Sequence, residues 1–549
     1  MGASSLMTLG VRAMAASYAA LQVTGHNIAN ASVPGYSRQR AELATAGGQF
    51  SGAGYFGKGV DVETIVRTHD AFLTREARAT ASLASMDEAR LAQLRQLEAV
   101  FPTGERGLGH ATSLLANALA DLANAPDDLS AREVVLARAR DLASRFAGAD
   151  TQLAALQQGT REALRAKVTE INELTRNIAA VNQQIAGVKG LGQPPNDLLD
   201  QRDQLLAELS QHIGITTVAA DDGTVGVFAG GGQRLVLGNE AQPLAVVDDP
   251  QDAARAAIAI MDNGVPLRLR ESALGGGSLA GLLRFQNEDL VQAQVQLGQL
   301  AAAVTGAYNA QHALGLTLDG GPGGDLFSSP LTRVLPASGN ARDAGGAYIG
   351  QVGITITDPT TLQASEYRLE ADPAGGWRVT RLSDGLVRAV ADGDEVDGIR
   401  IAIGPPAPAV DDTFLLQPVT RAASGMRAVL SDPRDLAAAD APPANAENGN
   451  ALALAALRDQ PLVGDRNATD AYAALLADVG VRVQGSQTSA ELSRALATQA
   501  EQMRSADAGV NLDEEAARLI EFQQSYQAAA KVLQVAQSVF DTLLEVTRG

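Results

Sequence analysis

The chain has 549 residues, too many for a single hydrophobic core, so three or four domains are expected. Its formal charge of −20 at pH 7 argues against a general nucleic-acid-binding protein and against adsorption to anionic membranes. It contains no cysteine, which excludes disulfides, thiolate metal sites and cysteine nucleophiles.

The chain also lacks the usual signals for membranes and secretion. It has no run of 18 apolar residues that would predict a membrane-spanning helix. The N-terminus has no basic region followed by an apolar block and a cleavage site, so we expect no cleaved signal peptide. These rules alone favour a cytosolic protein, although the lack of cysteine fits the cell exterior equally well.

The first thirty residues carry a narrow apolar stripe at helical spacing. Apolar side chains recur in alternating steps of four and three, the pattern of a helix that pairs with another helix. Gly25 occupies one position of the stripe, and its other members are Met7, Val11, Met14, Tyr18, Leu21 and Ile28.

The next segment, HNIANASVPGYSRQR at residues 26–40, contains several residues that favour helix ends and turns. Asn27 and Asn30 are expected to close the helix, because asparagine tolerates the left-handed conformation used there. Pro34 cannot continue a helix, and Gly35 supplies the positive φ of a type II turn, so Val33–Tyr36 is predicted to form one. An ordinary helix end and a fixed bend between two layers fit this spacing equally well.

Three larger polar side chains follow the turn. Tyr36, Arg38 and Arg40 would share one face of an extended segment, since side chains alternate along a strand. We expect an intersubunit or interlayer contact for them, with partners that spacing alone does not name.

The middle of the chain alternates between helical and strand-like patterns. GVDVETIVR predicts a strand, and residues 70–213 predict long helices, the last of them with Asn196 as N-cap and Gly214 as C-cap. Apolar residues then alternate with period two over about 214–270 and again over 325–420, with helix between and helix from 450 almost to the end.

The last helix has two heptad rows and a clear start. Asn511 with Glu514 three residues later makes a capping-box pattern. The first row consists of Leu512, Leu519, Tyr526, Leu533 and Phe540, and the second of Phe522, Ala529, Ala536 and Leu543.

These patterns predict a multidomain α+β protein with terminal amphipathic helices that form a coiled-coil or bundle base and with small β-rich outer domains inserted. The predicted units are a terminal coiled-coil assembly domain (1–45 with 505–549), a long-helix bundle (46–213 with 276–320 and 434–504), a small β domain (214–275), and a β-rich outer domain with linker (321–433).

No catalytic or metal-binding constellation is visible in the sequence. P-loops, dinucleotide fingerprints and nucleophile elbows do not occur, and the acidic pair Asp200 and Asp203 is interpreted as a solvated helix face. The histidines lie tens of residues apart, and surface or core roles are expected for His26, His69, His110, His212 and His312. We therefore expect a protein that is not an enzyme and needs no metal or cofactor.

Five sequence blocks in order closely resemble one known family. The segment at 26–40 resembles the N-terminal motif of the flagellar rod, hook and junction axial proteins, and its PGYSRQ form is similar to the hook-associated protein 1 (FlgK) family. The other blocks are PPNDLLDQRDQLLAELS (194–210), DDTFLLQPVTRAASGMRAVLSDP (411–433), NGNALALAAL (448–457) and GVNLDEEAARLIEFQQSYQAAAKVLQVAQSVFDTLLEV (509–546). The two β regions resemble the family least.

The resemblance implies an extracellular structural protein of the bacterial flagellum at the hook–filament junction. It implies self-association in a ring and contacts with the hook protein and with a second hook-associated junction protein. It also implies export through the flagellar type III apparatus without a cleaved signal, with an export chaperone on the C-terminal helical region. Neither nucleic acid nor membrane insertion is expected.

Two alternatives stay open at this point. Another rod or hook protein would share the terminal motifs, although the internal blocks at 194–210 and 411–433 argue against it. A secreted adhesin could use the outer β domains. A peptidoglycan hydrolase is not favoured, because such an enzyme should show an acid/base or metal cluster and none is visible in the sequence.

Energetics adds one expectation about the chain ends. Burial along two narrow stripes offsets only part of the backbone entropy lost when residues 1–45 and 505–549 become ordered. We therefore expect both ends to be largely disordered in the secreted monomer and to fold on assembly.

Overall fold

The chain folds into long helices and six small antiparallel sheets over the residues that its computed structural model describes. These residues are 2–51, 54–190, 192–372 and 376–548. The α-helices are α1 (Gly2–Asn30), α2 (Ala71–Val100), α3 (Leu108–Asn124), α4 (Leu129–Lys189), α5 (Asn196–His212), α6 (Gly277–Arg284), α7 (Val291–Ala313), α8 (Ala422–Gly425), α9 (Gly449–Ala456), α10 (Ala468–Ala508) and α11 (Leu512–Arg548). A π-helical turn, Phe285–Leu290, joins α6 to α7. The predicted α+β class with terminal helices is confirmed.

The strands form meanders rather than one large sheet. They are β1 (Gln39–Thr45), β2 (Gln49–Ser51), β3 (Gly54–Phe56), β4 (Val60–Arg67), β5 (Ile215–Ala219), β6 (Val225–Ala229), β7 (Arg234–Leu237), β8 (Glu240–Ala241), β9 (Leu244–Asp248), β10 (Ala256–Asp262), β11 (Val265–Leu269), β12 (Arg333–Pro336), β13 (Val352–Ile356), β14 (Tyr367–Ala371), β15 (Trp377–Arg381), β16 (Val387–Val390), β17 (Glu395–Val396), β18 (Ile399–Ile403) and β19 (Thr413–Gln417). The sheet orders are β1-β4, β2-β3, β5-β6-β7-β8, β11-β10-β9, β12-β19-β14-β15-β16 and β13-β18-β17.

The helix α4, 61 residues long, runs through both of the large hydrophobic clusters. Its first half buries Leu142 and Phe146 together with α3, α7 and strands of the five-stranded sheet. Its second half buries Leu164 and Ile171 with α5, α6 and strands β6–β11. The sheets formed by β5–β11 and by β12–β19 are therefore stabilised by packing on helices, as sheets of this size require.

The seven strands β5–β11 fall within residues 214–275, and β12–β19 fall within 321–433. The strands of β12–β19 share a hydrophobic cluster with α3, α4 and α7. The boundary predicted after residue 45 lies between β1 and β4, which pair with each other and both contact α1. The four-part division remains a prediction.

A buried carboxylate joins α2 and α10 to the π-helical turn. Asp289 has no exposed surface and accepts two hydrogen bonds from Arg90, at 2.8 and 2.9 Å. Arg482 donates a third at 3.1 Å. Because a buried carboxylate is costly unless it is paired and hydrogen-bonded, these two arginines hold the three elements in one register.

The residues predicted to cap the two ends of α5 have other roles in the structure. The predicted N-cap role of Asn196 is wrong, because the helix begins at Asn196 and its amide donates to Ile65 O at 2.9 Å instead. Gly214 follows the C-cap residue Ile213 and permits close backbone approach: a Cβ there would lie 2.4 Å from the carbonyl carbon of Gly275.

Within the part of the chain that the structure describes, no helix is long and apolar enough to cross a membrane.

His312, at the end of α7, is buried and neutral. Its Nδ1 donates to Gly324 O at 2.6 Å, so its Nε2 is free to accept from the backbone N–H of Ala437 at 2.8 Å. Burial lowers the pKa of His312 below the ordinary value of 6.5, because the charged form is poorly solvated there. The predicted core role of this histidine therefore fits its environment.

We expect protonation of His312 to destabilise the fold in acid. Since the folded-state pKa is lowered, the unfolded chain binds the proton more tightly, and stability falls as the pH drops below about 6.5 toward the folded pKa. Thermal unfolding of His312→Gln should depend less on pH between 7.5 and 5.5 than that of the parent. The exposed His110→Gln serves as control, and identical pH profiles for the parent and His312→Gln would contradict the assignment.

Candidate functional site

The two terminal helices pack against each other along their length. A Cβ at Gly10 of α1 would lie 3.4 Å from the Cβ of Leu533 on α11, so the missing side chain lets the helices approach closely. Further along, the rings of Tyr18 and Tyr526 have centroids 6.4 Å apart. This pair joins the start of the chain to its end.

The buried face of α1 is made of small and polar residues rather than of the predicted stripe. Val11 and Tyr18 are 50% and 54% exposed, and Met7, Met14, Leu21 and Ile28 are only partly buried. The residues buried in the single chain are Gly10, Ala16, Ala20, Val23, Thr24 and Asn27. The stripe therefore lies beside the intramolecular contact, and its predicted role in assembly stays a prediction.

The heptad rows of α11 divide in the same way. Ala529 and Ala536 are buried, whereas Leu512 and Phe540 are exposed. Partial burial is shared by Leu519, Phe522, Tyr526 and Leu533. The side chain of Leu543 lies outside the described residues. Small residues thus form the contact between the helices, and larger apolar side chains flank it.

The predicted type II turn is present after α1. The N–H of Tyr36 donates to Val33 O at 3.2 Å, and Gly35 has a φ of +80°. A side chain at Gly35 would also be crowded, because its Cβ would lie 3.1 Å from Gln204 Oε1 on α5. Pro34 and Gly35 therefore act as the local rules predict.

Asn27 and Asn30 do not take the left-handed conformation that we predicted for them. Both lie within α1, and only Asn263 and Asp397 among the described non-glycine residues have positive φ. Asn30 donates from its amide to His26 O at 2.9 Å. Asn27 serves a different purpose.

Asn27 uses all of its side-chain hydrogen-bonding capacity in a buried site. Its Nδ2 donates to Gln39 O and to Glu515 Oε2, both at 2.9 Å. Its Oδ1 accepts from the N–H of Gln39 at 2.9 Å and from the hydroxyl of Tyr36 at 2.8 Å. We call Asn27, Tyr36, Gln39 and Glu515 the clasp, and residues 27–40 the corner.

The start of α11 completes the clasp. Glu515 is 1% exposed, and its carboxylate meets Asn27 488 residues away in sequence. Arg38 joins the same region twice: its N–H donates to Ala508 O at 2.8 Å, and its guanidinium donates to Glu514 at 3.1 Å. Asn511 caps α11 as predicted, through the N–H of Asp513 at 3.0 Å.

The helix α5 forms the other support of the corner. Asp200 Oδ2 accepts from the N–H of Ser37 at 3.0 Å, and its Oδ1 accepts from Arg67 of β4 at 2.8 Å. Arg67 also pairs with Asp203 at 2.7 Å. The interpretation of Asp200 and Asp203 as a solvated face is wrong, because Asp200 is 7% exposed and both pair with Arg67.

The three polar residues after the turn differ in their surroundings. Tyr36 also packs edge-on against His26, with ring centroids 5.6 Å apart. Burial and the charge of Asp200 raise the pKa of Tyr36, so its hydroxyl stays protonated and donates to Asn27. Arg40 is exposed and pairs with Glu42 at 3.2 Å. Tyr36 and Arg38 thus have partners in distant or neighbouring elements, whereas Arg40 is exposed and pairs only with a residue two positions away.

Sequence reasoning missed Ser37, Gln39, Asp200 and Glu515. A partial signal was present in the charges: residues 1–40 contain three arginines and no Asp or Glu, and two of them, Arg12 and Arg38, pair with carboxylates 49 and 476 residues away. Asp200 and Glu515 both lie in the blocks at 194–210 and 509–546. Over the described residues there is no group of three or more His, Asp or Glu that could hold a metal ion.

Family models match the chain from one end to the other. The model of the flagellar hook-associated protein FlgK helical domain matches residues 94–327, and that of the hook-associated protein 1 D2-like domain matches 338–418. The flagella basal body rod protein model matches residues 7–36, and the FlgEFG C-terminal model matches 501–546. Most of α1 with the turn up to Tyr36, and α11 up to residue 546, thus fall in segments similar to those of rod proteins.

Full-length relatives agree. Flagellar hook-associated protein 1 of Escherichia coli K12 is 33% identical, over 99% of this chain and 100% of the relative. The Salmonella typhimurium protein of the same name is 34% identical with the same coverage. The flagellar hook junction protein FlgK of Burkholderia pseudomallei has a similar fold, with a TM-score of 0.73, 24% identity, and coverage of 78% of this chain and 99% of that one.

We expect Asn27→Asp to loosen the corner. The change removes two donated hydrogen bonds and places a second carboxylate beside buried Glu515, which should lower the free energy of local opening by about 3 kcal/mol. Hydrogen exchange at the amides of β1 and of the first turn of α11 measures this opening. The same change at Asn30, which is partly buried and lies outside the clasp, is the control, and equal protection in both variants would contradict the role of the clasp.

We expect Gly35→Ala to distort the turn. A positive φ costs alanine about 1–2 kcal/mol, and the new Cβ would also press on Gln204. Gly232 is the matched control, because its φ is +82° and a Cβ there meets nothing within 4 Å. Both alanine variants should lose stability, but only Gly35→Ala should increase exchange at β1 and impair assembly. Normal assembly by Gly35→Ala would argue against a geometric role for the turn.

Proposed function

The chain belongs to the flagellar hook-associated protein 1 family, and from this we propose that it is a structural, non-enzymatic protein of the hook–filament junction that assembles through α1 and α11. The resemblance inferred from the sequence blocks is confirmed by full-length relatives of 33% and 34% identity. The flagellar assignment follows from the family. The position at the junction, the ring and its partners are our proposal.

The observation that carries the proposal is the apolar surface left on the terminal helix pair. Large apolar side chains stay exposed along both helices, although soluble monomers rarely expose contiguous apolar patches of this kind. They are Leu6, Leu9, Val11 and Tyr18 on α1, and Leu512, Ile520, Val532, Val535, Val539 and Phe540 on α11. Packing against helices of neighbouring copies would bury this surface.

The corner would set the angle between this inner helix pair and the outer domains. It is held from two sides, by α11 through Asn27 and the Arg38 guanidinium and by α5 through Ser37. A turn fixed at both supports transmits the orientation of the helix pair to the rest of the chain. We therefore propose that the corner is a geometric element of the junction.

In the monomer the two terminal helices differ in stability along their length. The clasp anchors the end of α1 and the start of α11, whereas most of the exposed apolar residues lie in the outer halves, toward the first residue of α1 and the last residue of α11. In the secreted monomer we expect protection from hydrogen exchange near the clasp and rapid exchange in the outer halves of both helices. Strong protection along the whole of both helices in dilute monomer would contradict folding on assembly.

Another flagellar axial protein, of the rod or of the hook, is the main alternative. The matches to rod-protein models are confined to residues 7–36 and 501–546, whereas the interior from 94 to 418 matches hook-associated protein models. This division supports two roles. The terminal helices would contact the hook protein and a second hook-associated protein in the way that rod and hook proteins contact one another, and the outer domains would be specific to the junction.

We propose that the chain reaches the cell exterior through the flagellar type III apparatus, without a cleaved signal and with an export chaperone on α11. Exposed apolar residues such as Val535 and Val539 support a need for protection before secretion. Secretion should stop in a strain that lacks the export gate, and secretion that continued there would contradict this route.

Deletion of the gene tests the proposed function directly. Cells should retain hooks but shed flagellin into the medium, because filament subunits would lack the layer on which they assemble. The intact gene supplied in trans should restore filaments. Normal filaments in the deletion strain would overturn the assignment to the junction.

We expect Val535→Asp to block assembly while leaving the single chain folded. Val535 is 60% exposed, so the monomer tolerates the charge, but burial of that charge between copies should reduce incorporation by about tenfold or more. Gln537→Asp, at an exposed polar position of the same helix, is the control. The readout is the amount of chain in purified hook–filament fractions, and wild-type amounts of Val535→Asp would contradict the model of assembly.

A further inference from the structure

A polar cavity of about 300 Å³ lies against the corner. Gly35 and Ser37 of the corner line one part of it, and side chains of α2, α5 and α10 line the rest. A volume of this size holds several water molecules or one small ion, since a water molecule occupies about 30 Å³ in the liquid. The cavity therefore adjoins the turn at a place where segments far apart in sequence meet.

The carboxylates that line this cavity are already paired with arginines. Asp203 pairs with Arg67 at 2.7 Å, and Glu501 accepts two hydrogen bonds from Arg504, at 2.7 and 2.9 Å. The remaining titratable ring is that of His69, which lies 3.8 Å from Asp203. Burial lowers the pKa of His69, so this side chain is mostly neutral at pH 7. These groups together therefore leave no unpaired negative charge at the cavity.

Arg78 of α2 lines the same cavity and has an unpaired positive charge. Its Nε donates to Thr74 O at 3.3 Å, and it forms no ion pair within the part of the chain that the structure describes. Burial lowers the pKa of Arg78, an effect that Asp203 opposes. The positive charges of Arg67 and Arg504 lower it further. Because a partly buried charge is costly unless it is paired, this guanidinium would be stabilised by an anion.

The chemistry of the free guanidinium and the size of the cavity define the class of ligand. The terminal nitrogens of Arg78 make no hydrogen bond to another described residue. Their planar fork matches two oxygens of a carboxylate or a phosphate. With about 300 Å³, the cavity is at the small end of known ligand sites, which favours a small ion over an organic cofactor.

We propose that this cavity binds a small oxyanion, a phosphate or a carboxylate, through the guanidinium of Arg78, and that the bound anion stabilises the corner. Because Ser37 lines the same cavity as Arg78, an anion held there couples α2 to the turn. It thereby adds a third support to those that α5 and α11 supply. The site is separate from the exposed apolar surface of the terminal helices, so the proposal does not depend on the assignment to the junction.

Thermal unfolding and hydrogen exchange of the full-length monomer test the proposal, with inorganic phosphate and acetate as separate probes in place of chloride at constant ionic strength. A bound anion should raise the Tm to a saturating value and slow exchange at the amides of residues 36–38, because a ligand of the folded state stabilises it. A general salt effect would instead raise the Tm without saturation. A saturating response to phosphate alone identifies a phosphate site, and one to acetate identifies a carboxylate site.

Variants of Arg78 show whether the response comes from this cavity. Arg78→Gln should weaken binding of the effective anion by about tenfold or more, because it removes the charged donors. Arg78→Lys keeps the charge and should bind more tightly than Arg78→Gln. Arg75→Gln is the matched control, since Arg75 is an exposed arginine three residues earlier on α2. A response to neither anion, a rise of the Tm that does not saturate, or equal affinities of Arg78→Gln and Arg75→Gln would overturn the proposal.

Discussion

The side-chain amide of Asn27 is the interaction on which the base of this molecule depends. A single buried asparagine meets the end of α1, the start of β1 and the start of α11, and each of its donors and acceptors has a partner. A buried amide in this position allows one geometry, because any other arrangement leaves polar atoms without partners. The helix pair itself, built on small residues, has much less power to fix its own direction.

Polar and apolar contacts stabilise different parts of the molecule. Polar contacts join segments far apart in sequence at the corner, where Asp200 and Glu515 receive donors from the N-terminal region. Apolar contacts build the two large clusters along α4, which hold the outer sheets. The larger apolar side chains of α1 and α11 belong to neither set, and the proposed assembly is what would give them partners.

The sequence predicted those features that depend on neighbours along the chain. The turn at Gly35 and the cap at Asn511 follow local backbone rules, and the long helices follow their apolar period. The roles of Asn27 and Asp200 could not be predicted in this way, because their partners lie 488 and 163 residues away. The buried face of α1 differs from the predicted stripe because glycine and alanine form its contact with α11. A prediction based on large apolar residues does not include these small ones.

The distance between the two halves of the clasp also sets a time at which it can form. Glu515 follows Asn27 by 488 residues, so a chain that emerges from its N-terminus completes the outer domains before the last partner arrives. We therefore expect the base to close last, and a truncated chain that lacks α11 to leave Asn27 without its partner Glu515.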